Sequence, residues 1–246
     1  MNKDNLNKLK ALRLPGMMNE YERQSKLEDI ESYTFDQRIT LMIDAEFDSQ
    51  HNNKITRLIK NAKFSEEQAD LNKILYYPDR HLNKDLITQL STNEYITKHK
   101  NILLCGAAGS GKSYLANAFG VNACMHGIKV KYVRLPDLLN EFELSKLQKN
   151  YYATIKTYQK CDLLIIDEWL LVPTTDSEQR DLLELAERRY RAGSTILCSQ
   201  FSVESWHKKL GSGALADAIL DRFTSNSVTI FIDGKISMRK SIEQTE

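Results

Sequence analysis

Gly106-Ala107-Ala108-Gly109-Ser110-Gly111-Lys112-Ser113 concentrates more chemistry than any other stretch of this chain. Its glycines let a backbone bend closely round a ligand, and a lysine and a hydroxyl follow at once. The spacing G-x-x-x-x-G-K-S is that of a loop whose N–H groups cradle a row of phosphates. In that arrangement Lys112 serves the β- and γ-phosphates and Ser113 serves Mg²⁺. The loop residues from Gly106 to Ser113, with Tyr114 after them, form the nucleotide-binding set, so ATP and Mg²⁺ are the expected ligands. A second constellation is Leu163-Leu164-Ile165-Ile166-Asp167-Glu168, an apolar run that ends in two carboxylates. Asp167 is placed for the metal, through water, and Glu168 for polarising the water that attacks the γ-phosphate. The plain alternative is a strand end that opens a turn. Ser194-Thr195-Ile196-Leu197-Cys198-Ser199-Gln200 ends in polar groups too. Ser199 is the first choice, and Gln200 the second, to stand between γ-phosphate and water. Arg222, in Leu220-Asp221-Arg222-Phe223, is either an arginine that reaches a neighbouring subunit's nucleotide or a surface ion-pair partner. Phosphoryl transfer is mostly charge stabilisation, so one such arginine has large leverage.

These residues need elements to hold them. Asn101 to Cys105 reads as a buried strand and Tyr114 to Phe119 as a helix, which is the strand–loop–helix context the phosphate loop requires. Further strands are expected at 129–134, 162–167, 194–199 and 227–232, with helices between them. The runs at Leu163–Ile166 and Ile196-Leu197 are continuous rather than alternating, as in parallel strands covered on both faces. The expected fold is therefore α/β, a phosphate-loop domain over residues 99–246. Residues 1–65 read as a small all-α N-terminal domain. Leu6, Leu9, Leu12 and Leu14 recur at near-helical spacing before Pro15-Gly16, and further amphipathic segments follow at 35–47 and 51–64. A less regular connector spans 66–98. Tyr95, Ile96 and His99, just ahead of the first strand, are candidates for holding adenine.

Composition narrows the class. In 246 residues, 34 Lys and Arg nearly cancel 33 Asp and Glu, giving +1, so any basic surface must be local. No apolar stretch approaches the length of a membrane span, and Met-Asn-Lys-Asp-Asn-Leu does not read as a signal peptide. Cys105, Cys124, Cys161 and Cys198 lie far apart and read as reduced core residues of a cytoplasmic protein.

Several longer segments add detail: Leu14-Pro15-Gly16-Met17, Lys60-Asn61-Ala62-Lys63-Phe64, Ser199-Gln200-Phe201 with Trp206-His207, Leu215-Ala216-Asp217-Ala218-Ile219-Leu220-Asp221-Arg222, and Asp233-Gly234-Lys235-Ile236-Ser237-Met238-Arg239-Lys240. With the phosphate loop, they make the chain resemble AAA+ ATPases of the clade of DnaC/DnaI helicase loaders and IstB-type transposition helpers. IstB is the nearer match, over nearly the whole length. The resemblance implies an AAA+ domain with a parallel five-stranded sheet flanked by helices. It implies an ATPase that forms a homo-oligomer on double-stranded DNA, deforms it, and assists a cognate transposase in selecting its target. Arg222 then acts in trans on ATP held at a subunit interface, and Arg239 falls near a second nucleotide-sensing arginine. Relatives often read Asp-Asp-Trp-Gly where this chain has Asp167-Glu168-Trp169-Leu170. The alternative within the clade is a replicative helicase loader acting on single-stranded DNA. A small-molecule kinase would need an arginine-rich acceptor lid, which is not evident, and Glu168 argues against a module that binds nucleotide without hydrolysing it.

Three basic clusters compete for DNA. Lys54, Arg57, Lys60 and Lys63 recur every three residues opposite Ile55, Leu58, Ile59 and Ala62, so a helix could lay its basic side along a phosphate backbone. The other reading is a solvated helix face. Lys146, Lys149, Lys156 and Lys160 with Tyr151 and Tyr152 form a second cluster, and Arg188-Arg189-Tyr190-Arg191 a third. Sequence-independent binding is expected, because phosphate contacts position a protein without reading bases.

Overall fold

The computed structural model describes residues 2–233 and Met238 and divides into two compact units, Met1–Arg57 and Leu58–Glu246. The first unit is helical. α1 (Lys3–Ala11) is capped by the Asn2 side chain, which accepts from Asp4 N. α2 (Pro15–Gln24) carries its proline in the first turn, where the missing N–H has no helical partner to lose. Pro15-Gly16 thus ends one helix and starts the next. Gly16 is set by close approach: a Cβ there would come within 2.2 Å of Ala45 O. α3 runs unbroken from Phe35 to Ala62, where the sequence implies two segments. Phe47 to His51 contains neither glycine nor proline, so nothing stops the hydrogen-bond ladder from continuing.

The second unit begins within α3. After a 3₁₀ turn at Pro78–Arg80 come α4 (Lys84–Ser91) and α5 (Glu94–Thr97), then β1 (Asn101–Cys105), α6 (Lys112–Met125), β2 (Val130–Arg134), α7 (Leu135–Leu147), α8 (Tyr151–Gln159), β3 (Leu163–Asp167), α9 (Asp176–Arg189), β4 (Ser194–Ser199), α10 (Val203–Lys209), α11 (Gly213–Thr224) and β5 (Ser227–Phe231). The five strands form one parallel sheet in the order β2-β3-β4-β1-β5. Its central strands alternate with period two between two cores. Ile102, Leu104, Ile165, Ile196 and Cys198 face Leu115 and Phe119 of α6. Leu103, Leu164, Ile166 and Leu197 face Leu138 and Phe142 of α7, Leu182 and Leu185 of α9, and Ile219 and Phe223 of α11. Both faces being covered explains the unbroken apolar runs. All four cysteines are buried, free thiols, and burial pushes Cys105 up to about 11 and Cys124 up to about 12. Among the described residues no helix is long and apolar enough to cross a membrane.

Register sets the site. Cys105 pairs with Ser199 and with Phe231, and Arg134 pairs with Asp167. The C-terminal ends of the strands therefore line one edge of the sheet, where parallel α/β folds gather their ligand groups.

Candidate functional site

The phosphate loop joins β1 to α6 at that edge. Gly109 and Gly111 have φ of +77° and +92°, and Gly106 has φ of +155°. Beyond Gly111 the chain enters α6, whose first N–H groups have no carbonyl partner inside the helix. Lys112 is buried, and its Nζ donates to Gly106 O at 2.8 Å and Ala107 O at 2.7 Å. Its ammonium therefore sits over the loop. Ser113 and Tyr114 are half-buried, and the Tyr114 hydroxyl accepts from Asp70 N at 3.2 Å. Ala107 and Ala108 are exposed and Ser110 is buried. Left-handed glycines, a lysine and a hydroxyl at a helix start fit a polyphosphate and its metal.

Asp167, at the end of β3, is buried with both oxygens engaged. Oδ2 accepts from the Tyr132 hydroxyl at 2.9 Å, and Oδ1 accepts from Glu168 N at 2.8 Å. Cys198 lies near both Asp167 and Lys112: its thiol is pushed well up by burial first, with Asp167 raising it further and Lys112 opposing. Asp167 and the loop lysine thus both lie close to Cys198. Glu168 leaves the strand at φ +55°, and its Oε2 accepts from Arg134 Nη2 at 2.7 Å. Tyr132 and Arg134, both on β2, are absent from the sequence reading because their roles depend on which strand lies beside β3. The one usable signal was their place near a predicted strand end. Among the described residues no three His, Cys, Asp or Glu side chains cluster as a metal cage.

Ser199 does not face this site, which corrects the expectation for it. Its hydroxyl is fully buried, donates to Trp169 O at 2.9 Å, and accepts from Trp206 Nε1 at 3.1 Å and Phe201 N at 3.2 Å. It ties together the Trp169–Trp206–Phe223 cluster. Gln200, the second choice, is exposed just beyond the strand.

Arg222 lies at the opposite edge of the sheet. Asn101, the first residue of β1, donates from Nδ2 to Phe223 O at 2.9 Å. The Arg222 guanidinium pairs with Glu187 at 2.8 Å and Asp221 at 3.1 Å and lies over the Tyr190 ring. It lines a cavity of about 340 Å³ with His99, Tyr190, Arg191 and Asn226. Tyr95, Ile96 and His99 belong to this same edge, since the Ser194 hydroxyl at the start of β4 donates to Tyr95 O at 3.1 Å. Tyr95 and Ile96 are core residues, so the expectation that they hold adenine is corrected. Arg239 lies outside the described residues.

Lys54, Arg57 and Lys60 are exposed on α3, opposite Leu58, Ile59 and the buried Ala62. Lys63 is exposed too, but it follows the helix end at φ +60°. Within the first unit, Lys54 and Arg57 share a groove of about 600 Å³ with Lys10, Arg13, Gln50 and Asn53. The other two clusters are partly spent on structure. Lys146 pairs with Asp181 at 2.6 Å, Tyr151 packs on Phe142, and Arg189 is buried while donating to Tyr158 O and Cys161 O.

Comparison with known proteins fits this geometry. An insertion-sequence ATP-binding protein of Sinorhizobium fredii (strain NGR234) is 33% identical over 236 residues, 96% of each chain. Among solved structures, AMPPCP-bound DnaA from Aquifex aeolicus superposes with a TM-score of 0.60 at 19% identity over 74% of this chain, which spans 56% of that one. The DnaC helicase loader superposes with a TM-score of 0.55 at 17% identity, over 67% of this chain and 97% of that one. At those identities the likeness shows the fold, that of AAA+ phosphate-loop proteins. Residues 7–245 match the family described as IstB-like ATP binding protein, and the chain belongs to that family.

Proposed function

We propose that the protein is a Mg²⁺-dependent ATPase that assembles on duplex DNA and helps an insertion-sequence transposase select and use its target. One observation carries this reading. Lys112, Asp167 and Glu168 gather at the carboxyl edge of the sheet, while Arg222 stands at the amino edge. The five residues of β1 separate those edges by roughly 13 Å at about 3.3 Å per residue. That separation argues against Arg222 serving its own chain's nucleotide and supports a role at the nucleotide of a neighbouring copy. The family and the Sinorhizobium relative's description as an insertion-sequence ATP-binding protein support the transposition context.

In this mechanism the loop and Lys112 hold the β- and γ-phosphates. Ser113, and Asp167 through water, would hold Mg²⁺, which would supply neutralisation of the phosphate charge. Glu168 takes the proton of the attacking water, Gln200 orients that water, and Arg222 of the next copy stabilises the charge that develops. The Lys10, Arg13, Lys54 and Arg57 groove supports a phosphate-backbone contact that reads no sequence.

The test is assembly on long duplex DNA with ATP and Mg²⁺, followed by electron microscopy or sedimentation, with single-stranded DNA in parallel. Assembly on duplex is expected. Assembly confined to single strands would move the function to helicase loading. Lys112→Ala should lose ATP binding and assembly; normal assembly by that variant would sink the mechanism. Glu168→Gln should bind ATP, hydrolyse it slowly and persist on DNA.

A further inference from the structure

Arg80 ends the 3₁₀ turn that precedes α4, in the stretch the sequence marks only as an irregular connector. It is 5% exposed. Its guanidinium reaches the phosphate loop: Nη2 donates to Ser110 O at 2.9 Å, while Nη1 donates to Leu75 O. Nε is buried and has no partner among the described residues. The approach is tight enough that a Cβ on Gly111 would stand 2.8 Å from Nη2. Burial lowers the guanidinium's pKa, with Asp79 acting the other way. A cation kept this far from water is a cost to folding, and neither the proposed hydrolysis nor DNA binding uses it.

We propose that Arg80 is a positioning residue for the phosphate cradle, fixing the Ser110–Gly111 peptide so that the Gly111 N–H points at the nucleotide's phosphates. The inference rests on the reading of Gly106–Ser113 as the nucleotide site. The Ser110 carbonyl and the Gly111 N–H belong to one trans peptide plane and so point in opposite directions. A carbonyl held by Arg80 directs its N–H away from Arg80. Gly111, at φ +92° and without a side chain, does little to stop that plane from turning over. The guanidinium selects one orientation. It also polarises the carbonyl, which strengthens the N–H of the same peptide as a donor. Lysine is a poor substitute, because its donors all sit on one nitrogen, whereas the guanidinium presents Nη1 to Leu75 O and Nη2 to Ser110 O in a fixed geometry.

The experiment titrates Arg80→Ala and Arg80→Lys with fluorescent ADP and ATP analogues and measures each variant's thermal midpoint without nucleotide. The loop holds the β-phosphate in both nucleotides, so both affinities should fall about tenfold in Arg80→Ala, equivalent to ~1.4 kcal/mol. The KM for ATP should rise by the same factor. The kcat at saturation should stay within about twofold, because Arg80 does not touch the reacting γ-phosphate. Arg80→Lys should fall between Arg80→Ala and the parent. A role confined to folding would lower the midpoint while the folded molecules kept parental affinity for both nucleotides, and that result overturns the proposal. If Arg80→Ala does not fold, Arg80→Lys decides it by the same comparison. A parent protein that binds neither nucleotide would instead remove the reading of the loop itself.

Discussion

Replacing Arg134 with alanine should raise basal ATP turnover, because Arg134 holds the carboxylate that the proposed mechanism uses as a base. The Glu168 Oε2 to Arg134 Nη2 distance is 2.7 Å, and the two side chains are 31% and 48% exposed. Asp137 competes for the same guanidinium at 3.8 Å. A carboxylate paired with a guanidinium is held away from the water it would activate. An ion pair this exposed is worth about 0.2–1 kcal/mol after solvent screening. At about 1.4 kcal/mol per tenfold, releasing it multiplies the population of unpaired Glu168 by no more than about fivefold. Phosphate release by Arg134→Ala should therefore rise about two- to fivefold, with an unchanged KM for ATP, because neither residue belongs to the loop. Salt supplies an internal control. Raising ionic strength from about 0.1 M to about 1 M shortens the screening length from about 10 Å to about 3 Å. The parent should then approach the variant. Turnover that is unchanged or reduced in Arg134→Ala at every salt concentration would refute the reasoning and make Arg134 a contributor to charge stabilisation.

The remaining predictions concern other parts of the molecule. Ser199→Ala should lower stability by about 1–3 kcal/mol, since it strips a fully buried hydrogen-bonding hub. Its turnover per folded molecule should stay near parental, while Gln200→Ala loses turnover; the reverse pattern would return Ser199 to the site. Leu170→Gly sets two effects against each other. It relieves a left-handed backbone at φ +54°, worth about 1–2 kcal/mol, and removes a fully buried side chain worth about 3–5 kcal/mol. Urea unfolding should therefore show a net loss of about 2 kcal/mol, and a more stable variant would show that strain outweighs packing. Arg222→Ala should bind ATP normally yet fail to hydrolyse it, and mixing it with Lys112→Ala should restore part of the activity; no recovery on mixing argues against a shared site. Lys54→Ala with Arg57→Ala should flatten the log–log salt dependence of duplex binding by about 0.9 for each lost phosphate contact, and an unchanged slope would move the DNA elsewhere.

Much of this was legible in the sequence because it depends on local order. The phosphate loop is contiguous, and its glycines, lysine and serine do their work within eight residues. The strands announced themselves because both faces of a parallel sheet are buried, so a run such as Leu163–Ile166 cannot alternate with polar residues. Asp167 and Glu168 were legible as the charged end of such a run. What failed needed a direction or a neighbour. Tyr95, Ile96 and His99 are near the loop along the chain, but they precede β1 and the loop follows it, so the whole strand stands between them. Nearness in sequence counts for little across an extended segment. Ser199 illustrates the two-residue period. It shares a parity with Leu197, which faces the core containing Trp169 and Trp206, and its hydroxyl follows that side chain inward. Parity alone does not say which face carries the loop; that is decided by α6, which packs on the opposite face, against Ile165, Ile196 and Cys198. Arg80 and Tyr132 lie further still from sequence logic. Each acts on a group thirty or more positions away, as in Arg80 to Ser110 at a separation of 30 and Tyr132 to Asp167 at 35. A buried cation in a segment without periodicity is the one trace such a residue leaves, and it becomes readable only when the carbonyl it holds is known to belong to the loop.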